Sequence, residues 1–128
     1  MRLLLDTRAL LWWLAGDEAM SPAAKAAVQD LENEVFVSAA SAWKIATKHR
    51  IGKLPLPAAL MADLEKAVAD QGFASLPIQF RHGRAAGALP GPHRDPFDRM
   101  LVAQAMIEDM ALVSNERAFD LYGVRRLW

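Results

Sequence analysis

The stretch PHRDPFDRMLVAQA, residues 92–105, carries two carboxylates three positions apart where a helix is predicted to begin. Asp95 suits the N-cap, Pro96 the first helical position and Asp98 the third, where its negative charge also favours the helix dipole. Capping alone therefore explains either acid taken singly. Together with acids from elsewhere in the chain, the same pair could hold a metal ion.

Two further acids follow predicted strands. Asp6 ends the apolar run RLLL, which is typical of a buried strand, and an unpaired acid is costly to bury there. Glu116 follows the apolar run ALVS, where a solvated turn is the simpler interpretation. Because the carboxyl ends of parallel strands meet at one edge of a sheet, we expect Asp6, Asp98 and Glu116 to converge there.

Strands and helices alternate in the elements that must position these acids. Strands are predicted at RLLL, EVFVS, FASLP, ALVS and VRRL. Helices are predicted at ALLWWLA behind a Thr7 cap and closed by Gly16, at SPAAKAAVQDLE, at AASAWKIATKHRIGKL, from Pro57 to Gly72, at IQFRHGRAAGAL, and from Pro96 to about Asp109. This alternation predicts an α/β fold with a mostly parallel sheet, formed by a single domain over residues 1–128.

Composition narrows the classes of protein to consider. The 128 residues are 53% hydrophobic, with 15 basic and 15 acidic side chains and a pI near 6.8, so a globally basic nucleic-acid binder is not indicated. The sequence has no cysteine, which excludes disulfides and thiolate metal sites and favours an intracellular protein. Asp6 and Arg8 interrupt the apolar start, so neither a signal peptide nor a membrane span is expected.

Clustered carboxylates repel one another unless a cation lies between them. Oxygen ligands without cysteine or grouped histidine favour Mg²⁺ or Mn²⁺ over zinc. Divalent ions held in this way commonly serve phosphoryl chemistry.

Several segments, in order along nearly the whole chain, resemble those of PIN-domain proteins, specifically the VapC-type toxin ribonucleases of bacterial toxin–antitoxin pairs. These segments are LLLDT with LLWWL, VSAASAWKIATKHRIGKL, HRDPFDRMLVAQA and LVSNERAFDLYGV. The resemblance implies a PIN-like α/β/α sandwich, a homodimer, a cytoplasmic location and Mg²⁺- or Mn²⁺-dependent cleavage of RNA, typically tRNA or rRNA. It also implies a partner antitoxin that blocks the acidic pocket.

Residue roles carried over from this resemblance are expectations. Asp6 matches the family's first acid and Asp98 its third, so both would bind the metal. Asp95 belongs to the same DPFD signature and would be accessory. Ser38 and Asn115 would lie nearby as polar groups.

Two positions depart from the family pattern. Glu116 replaces the usual aspartate, which moves the carboxylate by about 1.5 Å and leaves contact through water possible. Lys44 stands where WEIA normally places an acid, because this chain reads WKIA. Lys44 would repel a divalent cation by about 4 kcal/mol at 4 Å before screening, pair with Asp6 or Asp98 in its place, or extend into water. An active nuclease and a catalytically silent PIN fold that binds antitoxin or RNA therefore both remain open.

Basic and aromatic residues suggest further contacts. The cations Lys48, Arg50, Arg94, Arg99 and Arg117 could bind RNA phosphates, although an ordinary solvated helix end explains the first two equally well. For Trp12, Trp13 and Trp43, packing in the core or a dimer interface is favoured over stacking on bases. The three histidines, His49, His82 and His93, lack metal-ligand spacing and receive no catalytic role.

Overall fold

A parallel sheet forms the centre of the molecule. The computed structural model describes residues 1–92 and 94–128, and within these it has five strands in the order β3-β2-β1-β4-β5, all pairs parallel. The strands are β1 (Arg2–Leu5), β2 (Glu34–Ser38), β3 (Ala74–Leu76), β4 (Ala111–Val113) and β5 (Arg126–Leu127). The predicted α/β class and mostly parallel sheet are confirmed.

Helices connect the strands and cover both faces of the sheet. They are α1 (Thr7–Ala15), α2 (Pro22–Gln29), α3 (Ala39–Arg50), α4 (Ala58–Ala62), α5 (Leu64–Asp70), α6 (Phe80–Ala88) and α7 (Pro96–Ile107), followed by a 3₁₀ helix (Arg117–Tyr122). Among the described residues, no helix is long and apolar enough to cross a lipid bilayer.

The central strand β1 is buried on both faces, which explains its uninterrupted apolar sequence. Leu3 and Leu5 point into one core with residues of α1 and α2, while Leu4 points into the other core with residues of α7. All three leucines are fully buried. Two cores on opposite faces of one sheet make an α/β/α sandwich.

The cap of α1 differs from the prediction. Asp6, not Thr7, is the N-cap, and its Oδ1 accepts a hydrogen bond from the Ala9 amide at 2.7 Å. Asp6 keeps an extended backbone as the strand ends, so its carboxylate can turn back onto the first helical turn. Thr7 lies inside the helix, and its Oγ1 donates to Ser41 Oγ at 3.0 Å.

The helix predicted from Pro57 to Gly72 is divided into α4 and α5. Asp63 leaves the helical region of backbone space, with φ −141° and ψ 49°. None of the residues of α4 is fully buried, and of them only Met61 is among the side chains packed against the core, so tertiary packing gives limited support to a continuous helix.

The parallel strands bring their carboxyl ends to one edge. There β1 leads into Asp6, β2 ends at Ser38, and β4 leads into Ser114 and the loop before the 3₁₀ helix. The first turn of α7 reaches the same edge, because Asp98 and Asp6 line a common pocket.

Candidate active site

A small polar pocket lies at the carboxyl edge of the sheet. Its volume is about 40 Å³, and its lining comes from residues that follow β1 and β4, from helices α1, α3 and α7, and from the 3₁₀ helix: Asp6, Glu116, Thr7, Arg8, Lys44, Asp98 and Phe119. The three acids expected to converge, which come from distant parts of the chain, therefore face one space. Lys44 faces it too.

Asp6 is the most buried acid of the pocket, with 7% of its surface exposed. Burial raises the pKa of its carboxyl above the ordinary 3.8, and the charge of Asp98 raises it further. Hydrogen bonds from the Ser114 hydroxyl and the Ala9 amide, together with Arg8, oppose this rise without cancelling it. The negative charge of Asp6 is thus incompletely compensated, which favours a nearby cation.

Lys44 crosses from α3 to the first turn of α7. Its Nζ lies 2.9 Å from Asp95 Oδ2 and 3.4 Å from Asp98 Oδ1, and 13% of its side chain is exposed. Asp95 in turn accepts hydrogen bonds from the Phe97 and Asp98 amides as the N-cap of α7. The ammonium group therefore binds a capping acid and a pocket acid together.

The pKa values of this ion pair move apart. Burial acts to lower the pKa of Lys44, but the hydrogen bonds and charges of Asp95 and Asp98 outweigh it and raise that pKa. Burial acts to raise the pKa of Asp95, yet the hydrogen bond and charge of Lys44, with two backbone amides, hold it below 3.8. Both groups are charged at neutral pH.

Glu116 reaches the pocket from the loop after β4. Its backbone amide donates to Ser114 Oγ at 3.0 Å, and its Oε1 accepts from the Ala118 amide at 3.4 Å, which caps the 3₁₀ helix. Ser114 is fully buried and also hydrogen-bonds the Asp6 carboxylate. Ser114 therefore couples the loop that carries Glu116 to the acid at the end of β1.

The residues of the pocket fit a hard cation held by few ligands. The donor atoms are carboxylate oxygens, without sulfur or imidazole, and Asp6 lacks a full counter-charge. Across residues 1–92 and 94–128, no three acidic or histidine side chains stand at the spacing of a complete ligand set. Mg²⁺ usually keeps several waters and needs only one or two carboxylates, so Asp6 and Asp98 would be sufficient protein ligands.

This sheet, with an acidic pocket at its carboxyl edge, fits one family. Residues 3–124 match the family model of the PIN domain. The chain belongs to the PIN domain family. A 33-residue part of this PIN domain is 58% identical to Ribonuclease VapC16 of Mycobacterium tuberculosis (strain ATCC 25618 / H37Rv). That match amounts to 26% of the chain and only 23% of the relative's length.

Solved structures resemble this PIN domain over nearly its whole length. VapBC2 from Rickettsia felis, bound to a DNA fragment from their promoter, gives a TM-score of 0.72 at 12% identity, covering 98% of this chain and 97% of that one. FitAB bound to the IR36 DNA fragment gives a TM-score of 0.64 at 17% identity, covering 97% of this chain and 92% of that one. FitAcB from Neisseria gonorrhoeae gives a TM-score of 0.59 at 18% identity, covering 97% of this chain and 95% of that one. At these identities the likeness shows the fold alone.

Ser38, predicted as a nearby polar group, does not line the acidic pocket of the PIN domain. Its hydroxyl caps α3 through the Ala40 amide at 3.0 Å and lies 2.5 Å from Gln104 Oε1. Gln104 Nε2 continues to the Pro77 carbonyl at 3.2 Å and faces buried His82 Nδ1 at 3.4 Å. The serine belongs to a buried polar network, which tertiary packing creates and local sequence does not reveal.

The other predicted polar and basic residues differ in how far they are exposed to solvent. Asn115 is exposed beside the pocket without lining it. The exposed cations Lys48, Arg50, Arg94 and Arg117 remain accessible to a phosphate backbone. Arg99 is partly exposed, and its guanidinium donates hydrogen bonds to the Ala86 carbonyl at 3.1 Å and to the Leu89 carbonyl. His93 lies outside the described residues.

Sequence reasoning missed three hydroxyl residues around the acids. Thr7 lines the pocket and binds Ser41 on α3, and Ser114 binds Asp6. Thr7 and Ser114 each follow the end of a strand within two residues, in LLLDT and ALVS. This position near the carboxyl edge of the sheet is the sequence feature that could have indicated them. Ser41 gives no such signal, because only the packing of α3 against α1 brings it to Thr7.

Proposed function

We propose that this PIN domain is a metal-dependent endoribonuclease that cleaves RNA phosphodiester bonds, and that it is the toxin of a cytoplasmic toxin–antitoxin pair. The match to the PIN family over residues 3–124 supports this proposal, as does the short identity with Ribonuclease VapC16. The observation that carries it is the convergence of Asp6, Asp98 and Glu116 on one small pocket.

In this proposal Asp6 and Asp98 hold a divalent cation, Mg²⁺ or Mn²⁺. When bound, such an ion supplies an activated water and stabilises charge on the phosphate and the departing oxygen. Asp6 is held in place by Ala9 and Ser114, so its carboxylate is oriented before the ion arrives. Glu116 is held by the cap of the 3₁₀ helix and would assist the site through water.

Lys44 reduces the affinity of this site for a cation. Its ammonium group lies against Asp98 and is only slightly exposed, so solvent screens its charge incompletely. Lys44 Nζ lies 2.9 Å from Asp95 Oδ2 and 3.4 Å from Asp98 Oδ1, so it is 0.5 Å closer to the N-cap of α7 than to the pocket acid. The accessory role of Asp95 is therefore to hold Lys44 to one side of the pocket.

RNA, with tRNA and rRNA as the first candidates, would be positioned by exposed cations. Lys48 and Arg50 continue α3 beyond Lys44, while Arg94 and Arg117 flank the acids at 98 and 116 in sequence. Each phosphate contact adds a salt-dependent contribution to binding. The partner antitoxin would cover the same acidic pocket with a basic side chain, and the toxin would be a homodimer. The resemblance in fold to VapBC2 and FitAB supports a partner of this class.

The ion pairs of Lys44 favour a second candidate function. In this alternative the ammonium group permanently replaces the metal, and the chain is a catalytically silent PIN fold that binds antitoxin or RNA. The alternative predicts that the native chain binds no Mn²⁺ at millimolar concentration and cleaves nothing.

A cleavage assay on purified tRNA and rRNA with Mn²⁺ separates the candidates. The native chain, Lys44→Glu and Asp98→Asn are compared, with EDTA as a metal-free control. Metal-dependent cleavage that Asp98→Asn abolishes supports the nuclease. Cleavage by Lys44→Glu but not by the native chain supports the silent fold. If neither the native chain nor Lys44→Glu cleaves RNA, the proposed nuclease pocket is contradicted.

A further inference from the structure

An aromatic groove lies between helices that also line the acidic pocket. Trp43 and Phe97 meet edge to face, with ring centroids 4.9 Å apart and planes at 85°, and both line a groove of about 250 Å³. Trp43 remains 64% exposed, so it is not in the core. By contrast, Trp12 and Trp13 pack against the core and against Trp128 and Phe73 respectively.

The groove and the acidic pocket are lined by neighbouring residues of the same two helices. Trp43 precedes Lys44 on α3, and Phe97 precedes Asp98 on α7. The same two helices therefore meet twice, once through the aromatic pair and once through an ion pair 3.4 Å long. A strand of nucleic acid with its phosphate at the acids would place a neighbouring base beside the rings.

Small residues of α6 line the same groove as the aromatic pair. Gly83 and Gly87 stand one turn apart on α6 and line the groove together with Ala86. A Cβ atom added at either glycine would meet nothing within 4 Å, so both face open space. Ile78, Arg99 and Met100 also line the groove. A largely apolar groove that presents two aromatic rings suits a flat aromatic ligand.

We propose that the groove between Trp43, Phe97 and the glycine face of α6 binds an unpaired nucleobase next to the scissile phosphate of single-stranded RNA. This inference rests on the proposed RNA substrate and adds a base subsite to it. The base stacks on the exposed face of Trp43, while Phe97 holds the indole in position by its edge-to-face contact. The subsite explains why a large aromatic side chain stays exposed beside an acidic pocket.

The test measures binding without cleavage. Fluorescently labelled single-stranded RNA of about ten nucleotides is titrated in EDTA, followed by anisotropy, and compared with RNA carrying an abasic nucleotide at successive positions. Trp43→Ala is expected to weaken binding roughly 5- to 100-fold, while Trp43→Phe retains most of the affinity. The abasic nucleotide at the stacked position should weaken binding by the native chain but add no further loss in Trp43→Ala.

Two variants guard against a general loss of structure. Gly87→Leu adds a side chain to the groove lining and improves helix propensity, so it should weaken RNA binding while the chain stays folded. Phe80→Ala is the matched control, because Phe80 is 93% exposed on the same helix and does not line the groove. Its RNA affinity should equal that of the native chain.

Unchanged RNA affinity in Trp43→Ala and Gly87→Leu would overturn the subsite. If RNA affinity is unchanged but sedimentation shows that Trp43→Ala dissociates a dimer, the groove is a contact between two copies of the chain. If Trp43→Ala cleaves RNA with Mn²⁺ as fast as the native chain, the subsite is rejected and the proposed nuclease is retained. Binding that depends on Trp43 without cleavage, even by Lys44→Glu, would reject the nuclease and leave the subsite standing.

Discussion

Lys44 and Asp95 form an ion pair of 2.9 Å that joins the middle of α3 to the N-cap of α7. The carboxylate of Asp95 thus has two structural tasks, because its Oδ1 caps the helix while its Oδ2 holds the ammonium group. Lys44 is held beside the acidic pocket because capping leaves Oδ2 of Asp95 available to its ammonium group. In the proposed metal site, cation affinity should therefore depend on the charge at residue 44.

Reversing that charge should strengthen cation binding. Lys44→Glu removes a positive group from Asp98 and adds a carboxylate, so we expect Mn²⁺ affinity to rise at least about tenfold, or roughly 1.4 kcal/mol. This is less than the unscreened interaction of about 4 kcal/mol at 4 Å. Isothermal titration calorimetry measures the change. Lys48→Glu is the control, since Lys48 is exposed one turn further along α3 and should leave Mn²⁺ affinity within a few-fold of native.

Failure of Lys44→Glu to change Mn²⁺ affinity, with native folding, would mean that residue 44 does not face the bound ion. An equal gain in Lys48→Glu would point to general surface charge instead of the pocket.

Replacing Asp6 should change how stability depends on pH in the metal-free protein. Because the folded pKa of Asp6 lies above 3.8, ionisation opposes folding as pH rises through that raised value. Asp6→Asn keeps a good N-cap and removes the buried charge, so it should increase the free energy of unfolding at neutral pH. The advantage should shrink as pH falls toward 3.8. Urea denaturation in EDTA at several pH values measures it, and a pH-independent difference would contradict the assigned cause.

Ser38 and Gln104 should be energetically coupled. Ser38→Ala is expected to destabilise the fold by about 1–3 kcal/mol, because it loses the cap of α3 and leaves buried Gln104 Oε1 without this donor. Gln104→Leu should cost a similar amount. The double variant should be more stable than the sum of both losses by roughly 0.5–3 kcal/mol. Chemical denaturation of all four chains completes the cycle, and strict additivity would show that the two side chains act independently.

Glu116 should affect cleavage more than folding. Glu116→Gln removes the charge but keeps the length and an acceptor for the Ala118 amide, so we expect roughly 10- to 100-fold slower Mn²⁺-dependent cleavage with little change in melting temperature. Glu116→Asp keeps the charge and should retain more activity. The comparison is made in the Lys44→Glu background if the native rate is too low to measure. Equal rates for all three residues at 116 would exclude Glu116 from the site.

Local sequence rules predict the elements well where burial and capping agree. The apolar run at 2–5, Ser21 before Pro22, and Asp95 before Pro96 each mark an element that the structure contains. They fail where tertiary packing is weak, as in the break at Asp63 between α4 and α5. The sequence predicts Thr7 as the N-cap of α1, one residue after the observed N-cap Asp6. Both are good capping residues, and only the end of β1 selects between them.

The order of elements and their periodicity determine that strands alternate with helices, and parallel pairing then brings the carboxyl ends of β1 and β4 to one edge. Residue types together with the predicted strand order predict that Asp6, Asp98 and Glu116 converge and could bind a hard cation. Only the tertiary structure decides that Lys44 pairs with Asp95 and Asp98, that Ser38 turns away to Gln104, and that Trp43 stays exposed on Phe97. Side-chain partners depend on distances between helices far apart in sequence, and no local pattern encodes those distances.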